Sequence, residues 1–142
     1  MTYSTVDLER YAEDITRNEE LLFGDQGFDA EDIAHFDRHP RYNTGMILDK
    51  NNDLAAYAFM KSVKPGIIRI LRLCVLPEHR GQGYGRSLHD ALLLGGFHYR
   101  VRVPERWLES QLWLKRQGWI AVGIAPDGYE FRKFVESSFE VS

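Results

Sequence analysis

The chain has 142 residues, 44% hydrophobic and 13% aromatic, with a formal net charge of −3; that is enough apolar side chain for one ordinary core and excludes disordered, collagen-like and coiled-coil classes. No apolar run approaches the ~20 residues of a membrane span, the N-terminal stretch shows no basic segment leading into an apolar one, and the single cysteine, Cys74, excludes an internal disulfide and a zinc site built from cysteines. The expectation is a cytoplasmic chain of one domain, residues 1–142, with no metal and no membrane partner.

Charge is unevenly spread: residues 1–37 hold 11 Asp/Glu against 2 Lys/Arg, and residues 38–142 hold 10 against 16. The asymmetry fits two differently charged ligands, a basic partner surface, or simply the solvated faces of two helices. The arginines are dispersed instead of forming a stripe with aromatics, so no nucleic-acid partner is expected.

In chain order, the spacing of Leu8, Tyr11, Ala12, Ile15 and Leu22 predicts a helix over Ser4 to Phe23, opened by Ser4 and Asp7. A second, short helix follows Asp29, with Phe28 and Ile33 as its hydrophobic staple and His39-Pro40 as its end. The period then changes to that of strands: Gly45–Asp49, a turn at Lys50-Asn51-Asn52-Asp53, and Leu54–Val63. Ile67–Leu76, broken only by Arg69 and Arg72, suits a central strand covered on both faces. Helix Arg86–Leu94, strand Phe97–Val103, helix Trp107–Gln117 and strands Trp119–Ile124 and Tyr129–Val135 complete an α/β (α+β) arrangement of helices over a mixed sheet. Phe131, Phe134, Val135 and Phe139 leave an apolar C-terminal end that suits either core packing or a homodimer formed at a sheet edge.

Chemistry concentrates at Leu71–Ser87, where a buried strand runs into a loop with glycines at 81, 83 and 85 and a helix starts directly after. A helix N-terminus leaves backbone N–H groups unpaired and carries partial positive charge. Glycines let an anion approach those donors, and Arg80 and Arg86 add formal charge on either side. The combination predicts a phosphate or pyrophosphate site. The spacing is neither G-x-G-x-x-G nor a P-loop, since no Gly-Lys-Ser/Thr follows.

The segment resembles the Q/R-x-x-G-x-G/A signature of the GNAT superfamily of N-acetyltransferases, with Arg80, Gly83 and Gly85 at the matching positions. Within the superfamily the chain looks nearest to the ribosomal-protein alanine N-acetyltransferase branch, through Phe28-Asp29-Ala30-Glu31-Asp32, Gly45-Met46 and Val103-Pro104-Glu105. The resemblance implies a mixed central sheet of about six or seven strands flanked by about four helices. It also implies acetyl-CoA as cosubstrate, lying in a V between the fourth and fifth strands of that fold. Backbone groups of Leu73, Cys74 and Val75 would pair with the pantetheine arm, and Arg80, Gly81, Gln82, Gly83, Tyr84, Gly85, Arg86 and Ser87 would hold the pyrophosphate. A primary amine, either a peptide N-terminus or a small amine, would attack the thioester directly in a ternary complex.

The sequence departs from relatives where protons move. Leu114 stands where a tyrosine usually protonates the thiolate, Trp107 replaces a common asparagine, and Arg69 and Arg102 fall where some relatives carry a basic carboxylate. Glu105 is the candidate general base, directly or through a water, with Tyr84, Tyr99, Tyr129 and His98 as other proton carriers or as ordinary packing residues. Arg69 and Arg102 would favour an anionic acceptor if they share an orientation, whereas the acidic N-terminal helices favour a basic one. The rival to an enzyme is an acyl-CoA-binding module with weak or no catalysis.

Overall fold

The computed structural model describes residues 2–4, 8–38 and 43–136; the expectations placed on Asp7, His39-Pro40 and Phe139 lie outside them. The described residues form seven strands and four α-helices with mixed pairing, as the family resemblance implies. They fall into two compact units, Met1–Lys61 with Arg72–Leu92, and Ser62–Leu71 with Leu93–Ser142.

In the first unit the chain begins as a strand. β1 (Thr2–Ser4) pairs antiparallel with β2 (Asn43–Lys50), Ser4 opposite Ile47. The helix expected from Ser4 therefore starts later: a 3-10 turn at Glu9–Tyr11 leads into α1 (Ala12–Phe23). Leu8, Tyr11 and Ile15 are buried as the helical spacing requires; the period was read correctly, but strand pairing took the first residues. α2 (Ala30–Arg38) opens with a reciprocal cap. The Asp32 N–H donates to Asp29 Oδ1 and the Asp29 N–H to Asp32 Oδ2, both at 3.0 Å. Those donors hold the Asp29 carboxyl below its usual range.

β2 and β3 (Asp53–Lys64) form a hairpin closed by Asn51 and Asn52, both with positive φ (54° and 64°), the conformation that a two-residue turn needs and asparagine tolerates. β3 is buried without a break from Leu54 to Met60, and Phe36 of α2 stacks on Phe59 at 4.5 Å between ring centroids. The strand covered on both faces is thus β3. β4 (Ile67–Val75) buries only Ile70 and Cys74 fully, because its arginines hold their heads in polar surroundings. α3 (Tyr84–Leu92) starts two residues earlier than expected, inside the glycine motif, and buries Tyr84, Leu88, His89 and Leu92.

In the second unit the first half of β4 pairs in parallel with β5 (His98–Pro104), from Ile67 opposite His98 to Ile70 opposite Val101. β7 (Gly128–Phe134) lies antiparallel to β5, and β6 (Ile120–Ala125) antiparallel to β7. α4 (Leu108–Arg116) packs on this sheet through Gln111 and Leu114. Phe131 is core, not part of an apolar end; Phe134 is half exposed, and Ile120, Val122 and Ile124 of β6 are exposed. Among the described residues no helix is long and apolar enough to cross a membrane.

Candidate functional site

Pro77 ends β4 with a short 3-10 turn, Pro77–His79, and the loop Arg80–Gly83 follows. Gly81 and Gly83 have φ of +76° and +82°, and a Cβ on either would meet nothing within 4 Å. The glycines serve backbone shape, since L side chains rarely adopt that conformation, and they leave the concave side open. Gly85 serves close approach instead: a Cβ there would stand 3.3 Å from Val75 Cγ2, so the first turn of α3 lies tight against the strand end.

The Gly83 carbonyl accepts the Ser87 N–H at 3.1 Å, making Gly83 the residue that opens α3. Among the described residues, none accepts a hydrogen bond from the backbone N–H groups of Gly81 to Arg86. A run of unclaimed donors at the positive end of a helix dipole is what a diphosphate requires. The loop fits the group that the sequence predicts.

Side chains brace this loop. The Lys50 ammonium sits 5.4 Å from the centre of the Tyr84 ring and 3.5 Å from Gln82 Oε1. His79 Nε2 meets Asp53 Oδ2 at 2.7 Å, and its ring lies edge-on to Tyr84. Arg80 Nε donates to the Val75 carbonyl at 3.3 Å, tying loop to strand, while Arg86 is exposed beside Asp90 on α3. The sequence reading missed Lys50, Asp53 and His79. Lys50 and Asp53 flank the Asn-Asn turn and face one another in register, which a hairpin reading of that turn could have found.

Behind the C-terminal half of β4 lies a sealed polar network. Arg72 Nε donates to Glu19 Oε1 at 2.8 Å, and the Tyr57 hydroxyl donates to Glu19 Oε2 at 2.6 Å. The Phe28 N–H donates to the same carboxylate at 3.0 Å, and Asn18 Nδ2 donates to the Tyr57 hydroxyl. The Arg72 guanidinium also lies 3.9 Å and 4.2 Å from the ring centres of Phe23 and Phe28. Burial and the neighbouring anion push the Tyr57 hydroxyl far above its usual range. Burial pushes the adjacent Cys74 thiol up to about 11, so it stays protonated near neutrality and is no nucleophile. Three donors meet on the Glu19 carboxylate, which makes it the hub of this network.

The second unit holds the other candidates. Glu105 is an exposed carboxylate on a pinned main chain: its N–H donates to the Asp127 carbonyl, and its carbonyl accepts from Gln111 Nε2, each at 3.0 Å. With Lys115, Tyr129 and Phe131 it lines an open cavity of about 490 Å³. Leu114 is buried beneath α4, and Trp107 precedes the helix without a side-chain cap. The Tyr99 hydroxyl accepts the Leu94 N–H at 2.7 Å, which makes it structural; burial raises its pKa. His98 is exposed at the start of β5, stacked on Phe134.

The family model for the acetyltransferase (GNAT) family matches residues 8–117. No curated protein matches the sequence. Among solved structures, Ard1 from Thermoplasma volcanium superposes with a TM-score of 0.79 at 17% identity, covering 94% of this chain and 97% of that one. The ribosomal-protein-S18-alanine N-acetyltransferase from Escherichia coli gives 0.76 at 16%, covering 98% and 96%. The spermidine N-acetyltransferase from Vibrio cholerae, solved with CoA and spermine, gives 0.74 at 14%, covering 93% and 94%. At such identities these likenesses concern the fold, whereas the family match takes in both the glycine loop and the strand that feeds it: the chain belongs to the GNAT family of acetyltransferases.

Proposed function

We propose that the chain works as one domain over residues 1–142 and moves an acetyl group from acetyl-CoA to a primary amine, a peptide N-terminus or a small amine. The observation that carries this reading is the run of unclaimed N–H groups from Gly81 to Arg86 at the start of α3. They take the pyrophosphate, with Arg80, Gln82 and Ser87 around them and the Lys50 ammonium adding charge at the same loop. Leu73 and Cys74 offer backbone groups to the pantetheine arm; Val75 offers less, since its carbonyl already accepts from Arg80. Bound acetyl-CoA would supply the activated thioester; binding it and moving the protons would fall to the chain's own residues.

A protonated, buried Cys74 argues for direct attack by the amine instead of an acyl-enzyme. Glu105 is the base that takes the ammonium proton, directly or through a water, because it is a solvated carboxylate on a fixed main chain. Leu114 gives no proton to the leaving group. A thiol with an ordinary pKa of ~8.5 departs as thiolate without needing one. The named activities of the fold neighbours, on a ribosomal-protein alanine and on spermidine, support an amine acceptor.

The test is calorimetry with acetyl-CoA followed by thiol release against a panel of primary amines. One molecule bound per chain and release with at least one amine are expected. Binding without release for any amine would reduce the reading to a carrier of acyl-CoA, and no binding would end it. Glu105→Gln should lower kcat at least tenfold with CoA affinity unchanged.

A further inference from the structure

In the second unit, three arginines stand directly opposite one another on three neighbouring strands: Arg69 of β4 pairs with Arg100 of β5, and Arg100 with Arg132 of β7. Residues paired across strands share a face, and positions two apart on one strand share it too. Arg102, opposite Glu130, therefore lies on this face with them. The shared orientation of Arg69 and Arg102, which the sequence left open, follows from this register, and two further arginines join them.

Like charges placed opposite one another in a sheet work against folding. Among the described residues the carboxylate that meets this row is Glu130, shared by Arg69 at 3.2 Å and Arg132 at 2.9 Å. The compensation is incomplete. Arg69 Nη1 and Arg100 Nε are buried nitrogens with no hydrogen-bond partner, and guanidinium groups are costly to desolvate without an acceptor. Arg102 is exposed and Arg132 half exposed, so the charge of the row can be reached from solvent through these two. Guanidinium forks match the paired oxygens of carboxylates and phosphates.

We propose that the Arg69–Arg100–Arg132 row, with Arg102 beside it, binds a small oxyanion carrying two or more negative charges. This site is additional to the glycine loop and does not depend on the acetyl-transfer reading. The ligand's oxygens take the exposed guanidinium donors of Arg102 and Arg132, and its charge offsets the repulsion built into the row, Arg69 and Arg100 included.

The probes are citrate and inorganic pyrophosphate, titrated calorimetrically into the full chain saturated with CoA, and into Arg100→Gln and Gly83→Ala. One citrate per chain is expected, weakened at least tenfold by Arg100→Gln and unchanged by Gly83→Ala, whereas CoA affinity is unchanged by Arg100→Gln and falls at least tenfold with Gly83→Ala. Thermal melting of Arg100→Gln without ligand should not fall, which separates a binding role from a structural one. No citrate binding to the unaltered chain, or equal binding to Arg100→Gln, overturns the proposal. Failure of CoA to bind would strike the acetyl-transfer reading alone. Initial-rate kinetics separate two sources of the anion. Citrate competing with the amine puts it on the acceptor itself, and an unchanged amine KM puts it on a separate ligand.

Discussion

Arg72 and Arg69 sit three positions apart on β4, and each exposes 16% of its side chain, yet their surroundings differ. Arg72 has a fully buried carboxylate of its own, the Gln26 carbonyl at 3.1 Å and two aromatic faces. Arg69 shares its carboxylate with Arg132, faces Arg100 across the sheet and leaves a buried nitrogen without an acceptor. The first arrangement supplies its guanidinium with acceptors and binds α1 to the sheet, with Asn18 Oδ1 the buried atom of the network left without a partner. The second is short of negative charge. A half-buried guanidinium is therefore structural or receptive according to how many acceptors surround it, and burial alone does not distinguish the two.

The sharpest way to break this contrast is Glu19→Ala. It leaves Arg72 and the Tyr57 hydroxyl buried without their acceptor, so denaturant unfolding should show a loss of about 3–5 kcal/mol. A loss below 1 kcal/mol would mean that the network is not sealed. Gly83→Ala comes next. Holding a non-glycine residue at φ +82° costs about 1–2 kcal/mol of stability, and isothermal titration should show CoA affinity falling at least tenfold.

Glu130→Gln should cost about 1 kcal/mol near neutral pH, because the negative charge is lost and the amide offers one acceptor oxygen where Arg69 and Arg132 each use an oxygen of the carboxylate. Burial pushes the Glu130 carboxyl up, but hydrogen bonds from Arg132 and Arg69 outweigh it and the net shift is down. Its contribution is then complete above the unfolded value of about 4.3 and disappears as pH falls through the lower folded value. Melting curves between pH 7 and pH 3 should lose that part of their slope in the variant. The smallest effect is Arg100→Gln, which should leave stability unchanged or raise it by up to about 1 kcal/mol, since it removes a repulsive cross-strand neighbour. A clear loss would show that Arg100 is held by contacts within the fold.

The glycine loop was legible in the sequence because its chemistry is local: strand, proline, glycines and helix follow one another within Leu71–Ser87. The α2 cap was legible for the same reason, with Asp29 and Asp32 three residues apart. Whether Arg69 and Arg102 share a face stayed open in the sequence, because it depends on the register between β4 and β5, which no local pattern fixes. Glu19 and Arg72 were not legible as a pair, being 53 positions apart with no periodic signal joining them. β1 was hidden for a related reason: three residues carry too little pattern to compete with the helical spacing that starts at Leu8. The doubly covered strand was assigned to β4 instead of β3, because apolar composition alone does not count the polar partners that arginines bring to a strand.

Cys74 carries a practical consequence. A free sulfhydryl is ordinarily at risk of alkylation or oxidation by whatever reaches it. With its pKa raised to about 11, only about one molecule in ten thousand holds it as thiolate at pH 7. Iodoacetamide should therefore leave Cys74 of the folded protein unmodified near neutral pH, with labelling appearing only as the pH is raised or the chain unfolds.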